Sequence, residues 1–176
     1  MADRTKNLAC EFIGTFSLTF IGAGAILTST WTGGQPNLVG IALAHGLALA
    51  IAVSATMNIS GGHINPAVTA AMIATGRIKP GPGIAYILAQ CLGATVAGFF
   101  LAVIFGGLGQ GAAGMTGRAA VIAGKLGTPA FDPAVLSAGA AVLVEILLTF
   151  LLLFAVFGTA VDSRSEERRV GKECRL

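Results

Sequence analysis

Charge is scarce in this chain. Asp, Glu, Lys and Arg make up 11% of its 176 residues, against 55% hydrophobic residues and a mean hydropathy of +0.82. Soluble domains carry about 25% charged residues, so a water-soluble globular protein is excluded and a polytopic membrane protein is implied. Cysteine is sparse as well. Cys10, Cys91 and Cys174 build no disulfide framework, and the first two sit within apolar runs as small packing residues. The two histidines, His45 and His63, are not spaced as a ligand pair, and the apolar runs hold no Ser/His arrangement. The sequence therefore offers no catalytic residues, no metal site and no cofactor site, and an intramembrane enzyme ranks last among the readings. Nothing in it suggests a nucleic-acid partner. No cleavable leader is evident, because the first apolar run is too long and lacks a convincing cleavage site. The net charge of +3 arises largely in residues 164–176, where five basic residues meet three acidic ones.

Long apolar runs are what the chain has in abundance. Four of them, at about 8–27, 38–57, 84–108 and 134–160, are predicted as membrane spans. The 25 glycines suit close helix packing in lipid. Each span carries one polar side chain of interest: Glu11, His45, Gln90 and Glu145 in turn. Residues 109–132 read as a long Gly-rich linker, and Asp132-Pro133 as an ordinary start to the fourth span.

Between the second and third spans lies the polar stretch Ser60-Gly61-Gly62-His63-Ile64-Asn65-Pro66-Ala67-Val68-Thr69. Asn65 is a good N-cap, Pro66 suits the first helical position, and Gly76 suits a helix stop. A helix over 65–75 spans roughly 15 Å, about half of a hydrocarbon core of ~30 Å. In a soluble protein this would be a plain helix start after a Gly-rich loop. Flanked by spans, it predicts a re-entrant half-helix, because irregular backbone at membrane depth must be buried in protein or line a watery cavity. Its positive dipole end and the Asn65 side chain then face something polar.

Basic residues set the expected orientation. Arg4, Lys6, Arg77 and Lys79 place both termini and the half-helix entrance on the cytoplasmic side, with the 109–132 linker outside despite Arg118 and Lys125. An internal repeat is visible at an offset of 134 residues. Glu11, Thr15, Phe16, Leu18, Phe20 and Gly24 coincide with Glu145, Thr149, Phe150, Leu152, Phe154 and Gly158. Three spans precede the second copy, so the copies cross in opposite senses, an inverted repeat with the first unit complete and the first helix of the second.

These residues together carry a resemblance. The Asn65-Pro66-Ala67 box within 60–69, Cys10 to Thr15 in the first span, Ala89-Gln90 with Gly93-Ala94 in the third, and Val144-Glu145 in the fourth resemble the aquaporin (major intrinsic protein) family over about residues 5–162. The resemblance implies an all-α polytopic membrane protein, an aquaporin-like right-handed helical bundle that assembles as a homotetramer in the cell's inner or plasma membrane. It implies a passive channel for water, and for ammonia or urea as other small neutral solutes, with membrane lipid around it. Asn65 is implied as a donor to passing water, Gly61, Gly62 and His63 as sources of pore carbonyls, and Val68 as an apolar wall. His45 falls where the family's second helix supplies a filter residue; His there is similar to plant tonoplast members, whereas glycerol facilitators carry an aromatic. Water then moves in single file past acceptors, and half-helix dipoles oppose protons and cations.

Bland readings stand beside these. His45 could be a packing residue rather than a filter residue. Glu11 and Glu145 could form a proton relay, but buried anchors for re-entrant loops, with Gln90 in the same role, are the favoured reading. Residues 1–162 are expected to be the channel domain. Residues 163–176 show no family pattern; they could bind anionic lipid, but 164–174 resembles one frame of a sequencing-library adapter and an artefactual tail is expected. The resemblance places a second Asn-Pro box, a filter arginine and two more spans after Asp162. On that expectation this chain is truncated and does not conduct alone, leaving a glycerol-type channel or an inert or dominant-negative subunit as alternatives.

Overall fold

The computed structural model describes residues 4–161. Six α-helices follow in order: α1 (Arg4–Thr32), α2 (Leu38–Ser60), α3 (Pro66–Ala74), α4 (Pro80–Gly106), α5 (Gly117–Ala123) and α6 (Ala138–Val156). A 3-10 turn at Lys125–Gly127 follows α5, and α6 runs into a π-helical turn at Phe157–Val161. Among the described residues, four helices are long and apolar enough to cross a membrane, namely α1, α2, α4 and α6 with its extension. The chain is thus an all-α polytopic membrane protein. It forms two compact units, Met1–Ala130 and Phe131–Leu176.

In the first unit α1 is central. It packs against α2 and α4, and α3 lies on α4. The α1–α4 crossing brings backbones into contact, for a side chain at Gly93 would run into the Phe12 carbonyl. Small residues allow such approach where lipid supplies no hydrophobic drive to associate. Away from the α3 end, Ala23 and Leu27 of α1 and Leu101 and Phe105 of α4 form an apolar core. Val39, Leu43, Leu47 and Ile51 make an outward stripe on α2, each more than half exposed, at the i, i+4 spacing of one helix face.

Local signals explain the boundaries. Asn37 caps α2, its Oδ1 accepting from Gly40 N–H at 3.1 Å. Gly61 ends α2 in the left-handed region at φ 91°, with its N–H donating to Met57 O at 3.1 Å. α4 starts at Pro80, four residues before the expected span, because proline at the first helical position lacks only an N–H that would have no partner anyway.

Two expectations need correction. The 109–132 segment is not a plain linker: α5 and the 3-10 turn within it pack on α1 and α4. Glycines permit this, since a side chain on Gly117 would strike the Phe105 carbonyl, and one on Gly127 (φ 73°) would lie 2.6 Å from the Ala23 Cβ. Trp31 Nε1 donates to Gly109 O at 3.0 Å, tying the segment to the end of α1.

The second correction concerns Asp132-Pro133, which does not open the last long helix. Asp132 Oδ1 accepts from Ala134 N–H at 2.9 Å and its carbonyl from Val135 and Leu136, making a closed turn. α6 begins at Ala138, capped by Ser137.

Candidate functional site

The polar residues of the first unit converge on the loop between α2 and α3. Glu11, on α1, is fully buried, and both its oxygens accept two hydrogen bonds. Oε1 takes the Ser60 hydroxyl at 2.5 Å and the His63 N–H at 3.1 Å; Oε2 takes the Ile64 N–H and the Gln90 side-chain amide, each at 2.7 Å. A carboxylate is acceptor-only with about four lone-pair sites, and here four donors meet it. Two of the four are loop N–H groups that no secondary structure could satisfy. Charge-assisted bonds of this kind are about twice as strong as neutral ones.

Further contacts hold the same loop. The Tyr86 hydroxyl donates to Ser60 O at 3.0 Å, and its ring meets the His63 ring edge-on at 5.3 Å between centroids. Gln90 also donates to Thr69 Oγ1 at 2.9 Å, which links α4 to the first turn of α3. His63 Nδ1 lies 3.2 Å from the same Thr69 oxygen. Thr15, one helical turn after Glu11, shares its hydroxyl between Glu11 O at 2.9 Å and Ile64 O at 3.1 Å.

This support holds an unfavourable backbone. Ile64 has φ 52° although it is β-branched. Such a residue in the left-handed region is an outlier costing of order 1–3 kcal/mol and persists only where its surroundings over-determine it. Here its N–H, its carbonyl and its side chain, 1% exposed, are all engaged. Gly61 and Gly62 (φ 61°) take the other left-handed positions without that penalty.

The result is a nine-residue helix, α3, whose N-terminus starts at a fixed point inside the bundle. Asn65 Oδ1 accepts from Ala67 N–H at 2.8 Å. With its oxygen used in the cap, the Asn65 amide keeps two N–H hydrogens free of the cap. Asn65 and Ala67 are half-buried, Pro66 is exposed and Val68 is 3% exposed, packed within the unit rather than on its open face. Among the described residues, the carbonyls of Gly61, Gly62 and His63 accept no hydrogen bond. α3 is roughly 14 Å long, too short to span.

His45 lies apart from this cluster. Its ring is half-buried against α1 beside Gly22, and its Nδ1 is 2.9 Å from Ile41 O. Glu145, expected to be buried, is exposed, and no residue of α6 is buried. The physical reason lies in its unit, where α6 is the only long helix among the described residues and nothing there can cover a carboxylate. Residues 163–176 lie outside the described residues.

The structure thus brings together Glu11, Gln90 and residues 61–68 and leaves His45 outside that cluster, while Glu145 belongs to the second unit. It also gives anchoring roles to Thr15, Ser60, Thr69 and Tyr86, to which the sequence alone assigns none. Thr15 could have been found from its i+4 spacing to Glu11. Tyr86 follows Gln90 by spacing of the same kind, one turn earlier on α4.

A short helix whose start is anchored by a buried carboxylate, set among long apolar helices, fits a polytopic membrane protein. The chain belongs to the major intrinsic protein family, whose model it matches over residues 1–171. It is 39% identical over 164 residues to the probable aquaporin TIP1-1 of Oryza sativa subsp. japonica, covering 90% of this chain and 58% of that protein. It is 38% identical to aquaporin TIP2-1 of Arabidopsis thaliana, covering 88% and 57%. It is also 38% identical to aquaporin NIP1-2 of Oryza sativa subsp. japonica, covering 91% and 50%. The chain spans less than two thirds of the length of these relatives.

Proposed function

We propose that the protein supplies half of a passive water pore, with ammonia and urea as further small neutral solutes. The observation that carries this reading is the α3 N-terminus, held by Glu11 and its partners, with Asn65 capping it through its oxygen so that its amide hydrogens are not spent in the cap. Water passing Asn65 accepts from that amide, and the Gly61, Gly62 and His63 carbonyls provide the row of acceptors leading to it. Val68, three positions on from Asn65 and 3% exposed, supports the start of α3 from within the unit. The α3 dipole orients each water and opposes cations. His45 is proposed to line the narrow point on α2. No covalent step is involved, so no catalytic residue is assigned.

Glu11 and Gln90 serve this pore as positioning residues and not as a proton relay, because every Glu11 lone pair already has a fixed donor. Arg4, Lys6, Arg77 and Lys79 favour cytoplasmic termini, and a homotetramer surrounded by lipid is the proposed assembly. These residues contribute one half-helix. Conduction is assigned to a channel in which a second half-helix completes the pore, and the 176-residue chain alone is proposed to be non-conducting.

Stopped-flow light scattering on proteoliposomes tests this. The 176-residue chain is compared with a chimera completed by the remaining C-terminal part of the Oryza sativa TIP1-1 relative. Faster osmotic shrinkage with the chimera alone supports the proposal. A chimera that inserts and assembles but adds nothing over empty vesicles overturns it, and conduction by the shorter chain overturns the requirement for a second half-helix.

A further inference from the structure

The contact between His45 and Gly22 has a consequence for selectivity. A backbone carbonyl only accepts, so His45 Nδ1, 2.9 Å from Ile41 O, must carry the hydrogen of that bond. In the neutral ring Nε2 is then a bare acceptor. Nε2 has no hydrogen-bond partner among the described residues, and no fully buried side-chain nitrogen or oxygen there is left unpartnered, so Nε2 is not sealed from its surroundings. It lies directly over buried Gly22 of α1. A Cβ built on Gly22 would overlap Nε2 and would lie 2.5 Å from Cδ2 and 3.0 Å from Cε1, so its three nearest atoms all belong to the His45 ring. Gly22 is in a regular helix, so no unusual backbone angle demands glycine there. What demands it is the imidazole.

We propose that Gly22 is a specificity-determining residue: its missing side chain seats the His45 ring against α1 and leaves Nε2 exposed as an acceptor for N–H and O–H groups of small neutral solutes. This rests on the reading of His45 as a lining residue of the narrow point. Ile41 O anchors the ring on its own helix, so a methyl group at position 22 has two effects. It covers the acceptor, and it pushes the ring off α1 toward the open side of α2. Both penalise a solute with several donors and a larger girth, such as urea, more than they penalise water.

The test is a double-mutant cycle in the completed channel, reading urea and water permeabilities in the same vesicles. Gly22→Ala is expected to lower the urea-to-water ratio about tenfold, the effect of one added methyl group in a fitted site. His45→Ala removes the ring, so Gly22→Ala in that background should change nothing further. An unchanged ratio in Gly22→Ala, or an equal drop in both backgrounds, overturns the proposal. Should Gly22→Ala fail to insert, the double variant still decides: its recovery, with the ratio of His45→Ala, supports coupling through the ring, and its failure overturns it. If His45→Ala itself leaves both permeabilities unchanged, His45 is not at the narrow point and both the lining role and the proposal fall. The water-pore reading itself fails only if the completed parent conducts no water.

Discussion

Gly14 and Ile64 are a matched pair. The Ile64 side chain occupies the space where a Gly14 Cβ would stand, with Cδ1 and Cγ1 each 2.9 Å from that position. Ile64 is the strained residue immediately before the Asn65 cap, so the placement of α3 depends on the absence of one methyl group on α1.

Gly14→Ala should therefore destabilise the protein by about 1–3 kcal/mol, the usual cost of overpacking a filled site. Ile64→Gly in that background removes the branched side chain and the left-handed penalty together. Thermal unfolding in detergent should show most of the loss recovered in the double variant. No recovery would mean that Gly14 is required by some neighbour other than Ile64.

Glu11→Gln tests the anchor. The amide keeps one acceptor oxygen but turns an NH2 group toward two donors, either Ser60 and His63 or Ile64 and Gln90. Each buried donor left unpaired costs about 1–3 kcal/mol. Hydrogen exchange should accelerate at the His63 and Ile64 amides well before it does in the core around Leu27 and Leu101. Uniform acceleration across the unit would refute a local anchor.

Asn65 separates capping from conduction. Asp caps a helix about as well as Asn, whereas Ala costs about 1 kcal/mol. Asn65→Asp should leave thermal stability close to that of the parent while removing the amide N–H donors. In the completed channel it should lower water permeability and weaken the barrier to cations. Parent-like permeation in Asn65→Asp would deny the amide a role in the pore.

Trp31→Phe should loosen only the far end of α1. It removes the bond to Gly109 O, worth about 1 kcal/mol. Limited proteolysis between residues 109 and 116 should accelerate, with cleavage near the α2–α3 loop unchanged. Parallel acceleration at both places would show that the two ends of α1 unfold together.

Membrane residence, the long apolar helices and the half-helix are all legible in the residues themselves. Each follows from local causes: apolar run length, an Asn-Pro pair at a helix start, glycine at a stop. The polar side chains worth attention, Glu11, Gln90 and the 60–69 stretch, also stand out, because a carboxylate or an amide within an apolar run needs a partner. Local pattern misled in two places. Asp132-Pro133 reads as a helix start, but its hydrogen bonds close a local turn instead; the 109–132 segment reads as a linker, although long-range contacts dock it on α1 and α4.

Tertiary structure alone decided which partner each group has. Glu11 and Ile64 are 53 residues apart, and Glu11 and Gln90 are 79 apart, so no spacing rule connects them. The left-handed angle at Ile64 runs against its own propensity and survives because three engaged groups outweigh it. Gly14, Gly22 and Gly93 look alike in the sequence, yet one receives an isoleucine side chain, one an imidazole and one a backbone carbonyl. Glycine announces that something approaches closely; only packing determines what does.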